Sequence, residues 1–347
     1  MNDLIAVGTH NSYKQAIAPE ELAALIAADP GAIGLDYAHP SLARQLDAGA
    51  RQLEIDVHND PAGGRYAAPL TALRTGHATD AAFRAAMALP GFKTLHMPDV
   101  DFRSSCLRFT TCLQQINAWS LAHPDHVPIL ILLNAKTGPA SLPGGVTPLD
   151  FDATAWDALD AEIRAVFSDA RLITPDQVRG RHATLRAAVL AGGWPRLAQA
   201  RGKVFFALDE DGAKVAAYRA GHPVLQGRAM FVNAPEGSPA AAYLTLNDPV
   251  TQQARIQAAV RRGFIVRTRA DAETLEARHN DRRRLAAALA SGAQYLSTDY
   301  LWADPRFPRY QVRLPDGAAA ICNTVRRSQC GTAPLDAVAR DGTDGGR

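Results

Sequence analysis

Two histidines and a pair of carboxylates hold most of the chemistry in this 347-residue chain. His10 follows the apolar run Leu4-Ile5-Ala6-Val7 and the pair Gly8-Thr9, and Asn11 comes directly after it. Glu54, Asp56 and His58 occupy every second position of Gln52 to His58, so an extended backbone puts all three on one face. Two carboxylates on one face repel, and a cation is the simplest reason to keep both. Pairing with arginine on a solvated strand face is the plainer reading. His96 closes Thr94-Leu95-His96, and Asn134 with Lys136 follows Pro128 to Leu133. Arg267 and Arg269 follow Phe264-Ile265-Val266, while Asp209, Asn233 and Asp299 each follow another apolar run. Two imidazoles flanking an acidic pair suit proton transfer on an anionic substrate beside an oxygen-loving cation.

Each polar set stands at the C-terminal end of a short apolar run. The runs are Leu4–Val7, Gln52–His58, Thr94–Met97, Pro128–Leu133, Val204–Leu208, Ala229–Val232, Phe264–Val266 and Gln294–Ser297. Pro128 to Leu133 is continuously apolar, as a parallel strand covered on both faces requires. Helical stretches separate most of the runs. Pro19 to Ala28 has helical composition, and Ser41 is placed to cap a helix ending at Ala48. Ser104 or Ser105 is expected to cap a long helix reaching about His123. Asp248-Pro249 is expected to open another ending at Arg262, and Asn280 or Asp281 a third stopped by Gly292. This rhythm predicts an α/β chain folded as a (β/α)8 TIM-type barrel, whose strand C-termini share one catalytic face. A doubly wound sheet would show a Gly-rich phosphate turn after the first strand, and Gly8-Thr9-His10-Asn11 is not one. The expected division is a barrel over residues 1–305 and a C-terminal appendage over 306–347. Within the appendage, Asp341 to Arg347 is expected to be disordered.

Composition narrows the partners. The formal net charge is +2 with no basic run, so no nucleic-acid footprint is present. Apolar runs are strand-sized, which predicts no transmembrane segment. A monomer is expected. The four cysteines fall into two close pairs, Cys106 with Cys112 and Cys322 with Cys330, without the spacing of a zinc or redox motif. Two local disulfides fit a secreted or periplasmic protein from which a signal peptide has been trimmed; buried free thiols are the alternative.

Gly8 to Tyr13 (GTHNSY), Leu53 to Asp56 (LEID) and Leu95 to Asp101 (LHMPDVD) resemble the bacterial calcium-dependent phosphatidylinositol-specific phospholipases C. So do Trp119 to Lys136, Val266 to Asp271 (VRTRAD) and Gly292 to Tyr300, and the resemblance runs from Leu4 to about Pro305. It implies a phospholipase C-like phosphodiesterase barrel acting on phospholipid at a membrane surface. His10 matches the general base on the inositol 2-hydroxyl, and His96 the general acid for the diacylglycerol oxygen, with His58 as the alternative acid. Asn11, Glu54 and Asp56 match calcium ligands. Asn134 stands where relatives of the eukaryotic type carry a further acid, so the site has one charge fewer and a lower expected affinity. Ca2+ is the expected ion, ahead of Mg2+. Lys136, Arg267 and Arg269 are candidates for the substrate phosphate, and Tyr300 for packing on the sugar ring. Glycerophosphodiester phosphodiesterases and sphingomyelinase-D-like enzymes share the His and Glu-x-Asp pattern, but their first motif is closer to His-Arg-Gly. A phosphoinositide-binding barrel without turnover is the reading from another class, and the intact His10/His96 pair stands against it.

Overall fold

The computed structural model describes residues 1–76, 79–327, 329–331 and 334–337. Eight parallel strands among them form the wall of a barrel: β1 (Leu4–Thr9), β2 (Gln52–Val57), β3 (Ile129–Ala135), β4 (Val204–Leu208), β5 (Met230–Val232), β6 (Tyr243–Thr245), β7 (Ile265–Arg269) and β8 (Tyr295–Thr298). Their order is β5-β4-β3-β2-β1-β8-β7-β6. A single parallel bridge, Asn233 to Tyr243, spans the seam between β5 and β6, so the barrel is nearly closed. The register of β2 on β3 pairs Glu54 with Leu132 and Asp56 with Asn134, which brings the acidic pair level with the amide. Ile129 to Leu133 are fully buried, as the unbroken apolar run predicts. Gly8 is required where β1 meets β2, because a Cβ there would overlap the Gln52 carbonyl.

The expected third strand is absent. Thr94 to Met97 makes only isolated bridges nearby, His58 to Lys93 and Met97 to Asp101, inside a long excursion between β2 and β3. Its backbone donors are spent locally instead, Thr94 on the Leu107 carbonyl and His96 and Met97 on the Asp101 carbonyl. The eighth strand is instead β6, three residues inside the Ala-rich stretch Ala240 to Leu246, where no alternation announces it. Two helices also start later than their caps suggest. Residues 104–108 are spent on bridges to Lys14 and Lys93, so the helix begins at Phe109 and ends at Ala122. Asp248 accepts from the backbone of Val250 and Thr251 in a turn, and the helix begins at Gln253. Ser41 caps the helix Leu42–Asp47 as expected.

Both cysteine pairs are disulfides, Cys106–Cys112 and Cys322–Cys330. The segment after residue 306 contributes β9 (Ala318–Cys322), antiparallel to β1 through Leu4–Cys322, Ile5–Ile321 and Ala6–Ala320. It takes the half of β1 that β2 leaves unpaired, since β2 meets β1 only at Gly8. Asp341 to Arg347 lie outside the described residues. Among the described residues, no helix is long and apolar enough to cross a membrane.

Candidate active site

His10 stands just past β1, its backbone N–H donating to the carbonyl of Thr298 on β8. Its Nδ1 lies 2.8 Å from Asp299 Oδ1. Burial works to raise Asp299, but His10 and Arg269 outweigh it and hold the carboxyl at about 2. An ionised carboxylate only accepts, so Nδ1 carries the proton and Nε2 presents its lone pair. Burial, aided by the charge of Arg269 and opposed by Asp299, pushes the imidazole down to about 3, so it is unprotonated near neutrality. Nε2 faces Glu54 Oε1 at 3.6 Å. A free Nε2 lone pair at the barrel mouth is what a general base needs.

Asn11 follows with φ 45°, a left-handed backbone that asparagine tolerates better than most residues. Its Nδ2 donates to Tyr37 Oη at 2.8 Å, which leaves the amide oxygen for another partner. Glu54 and Asp56 share the inner face of β2. Arg267 bonds Glu54 Oε2, and Asn134 Nδ2 donates to Oε1 at 3.0 Å. Burial, reinforced by Asp209 and Asp56 and opposed by Arg267, pushes Glu54 up to about 7. Neither oxygen of Asp56 makes a hydrogen bond among the described residues, although Lys136 Nζ stands 3.1 Å from Oδ2. Burial works to raise Asp56, but Lys136 and His96 outweigh it and hold the carboxyl below its ordinary value.

His96 reaches the site from the excursion, not from a strand. Its Nδ1 lies 2.9 Å from Asp101 Oδ2, and Lys14 Nζ stands 3.2 Å from the same oxygen. The ring is about one-fifth exposed, like that of His10. His58 differs. It is buried, burial pushes it down to about 3 against the pull of Asp56, and its Nε2 donates to the Leu95 carbonyl at 2.9 Å. Its one N–H is spent on backbone.

The other candidates divide. Lys136, at the end of β3, is one-third exposed. Arg269 bonds Asp299 Oδ2 at 3.2 Å and the Asp271 carbonyl at 3.0 Å, with 12% of its side chain exposed. Arg267 sits inside the wall with 1% exposure, held by Glu54, Asn247 and Ser297, and offers a substrate phosphate no free face. Tyr300 is buried edge-on against Tyr310 and Phe307, away from the acidic pair. It lines a cavity of about 340 Å3 with Tyr37, His39, Asp299 and Trp302. Sequence reasoning gave no role to Asp299, Asp101, Tyr37 or Lys14. Asp299 and Asp101 lie in motifs it quoted and carry the carboxylate signal. Tyr37 stands in a loop with no pattern to find it.

The donor set suits a divalent ion. Two carboxylates and two amides are oxygen ligands, the chemistry Ca2+ prefers. Asp56 has two buried oxygens without hydrogen bonds, and Glu54 is crowded by like charge. The three carboxylates Glu54, Asp56 and Asp209 share two ion-pairing cations, Arg267 and Lys136. Among the described residues, no three His, Cys, Asp or Glu side chains group to hold a metal ion.

Residues 1–324 match the family described as phosphoinositide phospholipase C, Ca2+-dependent. The fold is similar to a calcium-dependent phosphoinositol-specific phospholipase C from Pseudomonas sp., solved as a myo-inositol complex. The two are 16% identical with TM-score 0.56 over 92% of this chain and 94% of that one. It is also similar to a Ca2+-dependent phosphatidylinositol-specific phospholipase C from Streptomyces antibioticus, 20% identical with TM-score 0.54 over 89% and 97%. No curated protein matches the chain.

Proposed function

This chain belongs to the family of Ca2+-dependent phosphoinositide phospholipases C, and we propose from that footing that it cleaves phosphatidylinositol-type lipids to diacylglycerol and a cyclic inositol phosphate. The observation that carries the reading is the matched pair of dyads. His10 and His96 each rest Nδ1 on a buried carboxylate, Asp299 and Asp101, leaving Nε2 of both rings for proton transfer. His10 takes the proton of the inositol 2-hydroxyl, and that oxygen attacks phosphorus. The bond to the glycerol oxygen breaks, and an imidazolium at His96 gives that oxygen its Nε2 proton. The nucleophile belongs to the substrate, so its effective concentration is high without a positioned water. Lys136 and Arg269 meet the phosphate oxygens, and Arg267 serves from behind by fixing Glu54. Asn11, Glu54, Asp56 and Asn134 would hold Ca2+. When bound, the ion lowers the pKa of an adjacent hydroxyl and offsets charge on the phosphoryl oxygens.

Residues 1–305 are the catalytic unit in this reading, and the following segment buttresses it. Tyr310 Oη donates to Asp271, which accepts from the Asp299 backbone. The two disulfides support a secreted or periplasmic setting. Headgroup-resolved assays test the substrate. Inositol phosphate release from phosphatidylinositol is expected, with phosphatidylcholine and glycerophosphocholine left intact. Preferential cleavage of either choline compound would replace this reading.

A further inference from the structure

His96 does not ride on a barrel strand, so something other than the sheet must hold it near Asp56. The geometry points to Lys14 as the positioning residue that joins the two imidazole dyads, an inference that rests on the His10/His96 reading. Lys14 is fully buried. Its Nζ donates to the Tyr37 carbonyl at 2.8 Å, lies 4.7 Å from the centre of the Tyr37 ring, and stands 3.2 Å from Asp101 Oδ2. A further contact, to the Gln15 carbonyl, is 3.5 Å.

Each neighbour leads to one dyad. The Tyr37 hydroxyl lies 3.1 Å from His10 Nδ1 and accepts from Asn11 Nδ2, and its ring stacks on the His10 imidazole. Asp101 holds His96 Nδ1, and its backbone carbonyl accepts from the His96 N–H. Backbone bonds repeat the linkage. The His39 N–H donates to the Lys14 carbonyl, Lys14 bridges Ser104, and the Ser105 N–H donates to the Tyr13 carbonyl. One ammonium thus ties the segment behind His10 to the turn that aims His96. A second buried pair, Lys93 with Asp60 at 3.0 Å, anchors the base of the same excursion but touches neither dyad.

Burying a lysine is costly, and a well-packed apolar side chain generally serves stability as well or better. Lys14 supplies what an apolar residue lacks: donors that fix Asp101 and Tyr37 at set distances. Without it, Asp101 keeps its charge but loses the group that orients Oδ2, and His96 is free to swing.

The test is a comparison in the intact chain of wild type, D101N, K14M and K14M/D101N, with Y37F as the probe of the other arm. The double variant removes both charges together, so it is the arm that keeps the test valid if K14M alone fails to fold. Turnover of phosphatidylinositol is measured as kcat and KM separately, and long-range 15N–1H spectra report the tautomers of His10 and His96. K14M is expected to lower kcat by about 10²-fold, the cost of a misplacement near 1 Å, with KM little changed, and to blur the His96 Nδ1–H signature. In D101N, Lys14 claims the amide oxygen and leaves the amide NH2 to His96, so adding K14M is expected to free that amide to turn and to shift both kcat and the His96 tautomer back toward wild type. A folded double variant with the kcat and tautomers of D101N would overturn the inference, as would lowered stability with unchanged kcat. If wild type turns over no phosphatidylinositol, the functional reading fails, and the spectra still decide whether Lys14 orients His96.

Discussion

Replacing Asp299 by asparagine separates two ways in which a carboxylate can serve His10. In the wild-type chain Oδ1 accepts from His10 Nδ1 at 2.8 Å and Oδ2 accepts from Arg269 at 3.2 Å. Arginine has donors only, so in D299N the amide oxygen must turn to Arg269 and the amide nitrogen to His10. Nδ1 then has to accept, the ring proton moves to Nε2, and the lone pair facing the substrate is lost. If the carboxylate supplied only a charge-assisted hydrogen bond, the loss would be about 1.5–3 kcal/mol, or roughly 10–100-fold in rate. A wrong tautomer costs about 10⁴-fold, near 5.5 kcal/mol, by analogy with the same change behind a protease histidine. The expected outcome is therefore a fall in kcat of about 10⁴ with little change in KM, read from inositol phosphate release under saturating lipid. A loss of only about 10–100-fold would refute the tautomer argument, and one below about tenfold would also remove Asp299 from the machinery.

The remaining predictions concern the acids, the ion and the fold. H10A and H96A are each expected to lose at least about 10²-fold in kcat, while H58Q, which can still donate to the Leu95 carbonyl, stays within about tenfold. A deeper loss in H58Q than in H96A would transfer the acid role. N134D adds a charge to the candidate ligand set and is expected to tighten Ca2+ roughly tenfold in a calorimetric titration. An unchanged affinity would place the ion elsewhere. His126 is buried between Ser120 and the Val127 carbonyl, and burial holds it down at about 4. Its ordinary value is 6.5, so the unfolded chain takes the proton first as pH falls. Stability is fully present above pH 6.5 and is lost towards pH 4, by roughly 3 kcal/mol. H126Q is expected to flatten that decline in denaturant unfolding at pH 7 and pH 4.5, and an unaltered slope would count against it.

The barrel was legible because strands such as β2 and β3 declare themselves by alternation or by an unbroken apolar run, and because helices such as Leu42–Asp47 carry their caps. The count of eight matched with one wrong member. Thr94 to Met97 has strand composition but no neighbour to pair with, and pairing is a tertiary property. Tyr243 to Thr245 is too short to show a period, yet the gap beside β7 recruits it. The acidic pair and both imidazoles were visible as residue types at strand-like spacing. Their partners were harder. Arg267 reads in sequence as a rim cation, and only the fold shows its guanidinium turned inward to Glu54. Tyr37 and Lys14 act across separations of 27 and 87 residues, to His10 and Asp101. Local pattern does not encode such separations.

Phosphorus NMR of the wild-type chain with phosphatidylinositol, in Ca2+ and then in chelator, tests the central claim most directly. The account predicts a cyclic inositol phosphate resonance that grows in Ca2+, stops on chelation and resumes when Ca2+ is restored. Unchanged turnover in chelator, or a first product that is not the cyclic ester, would contradict it.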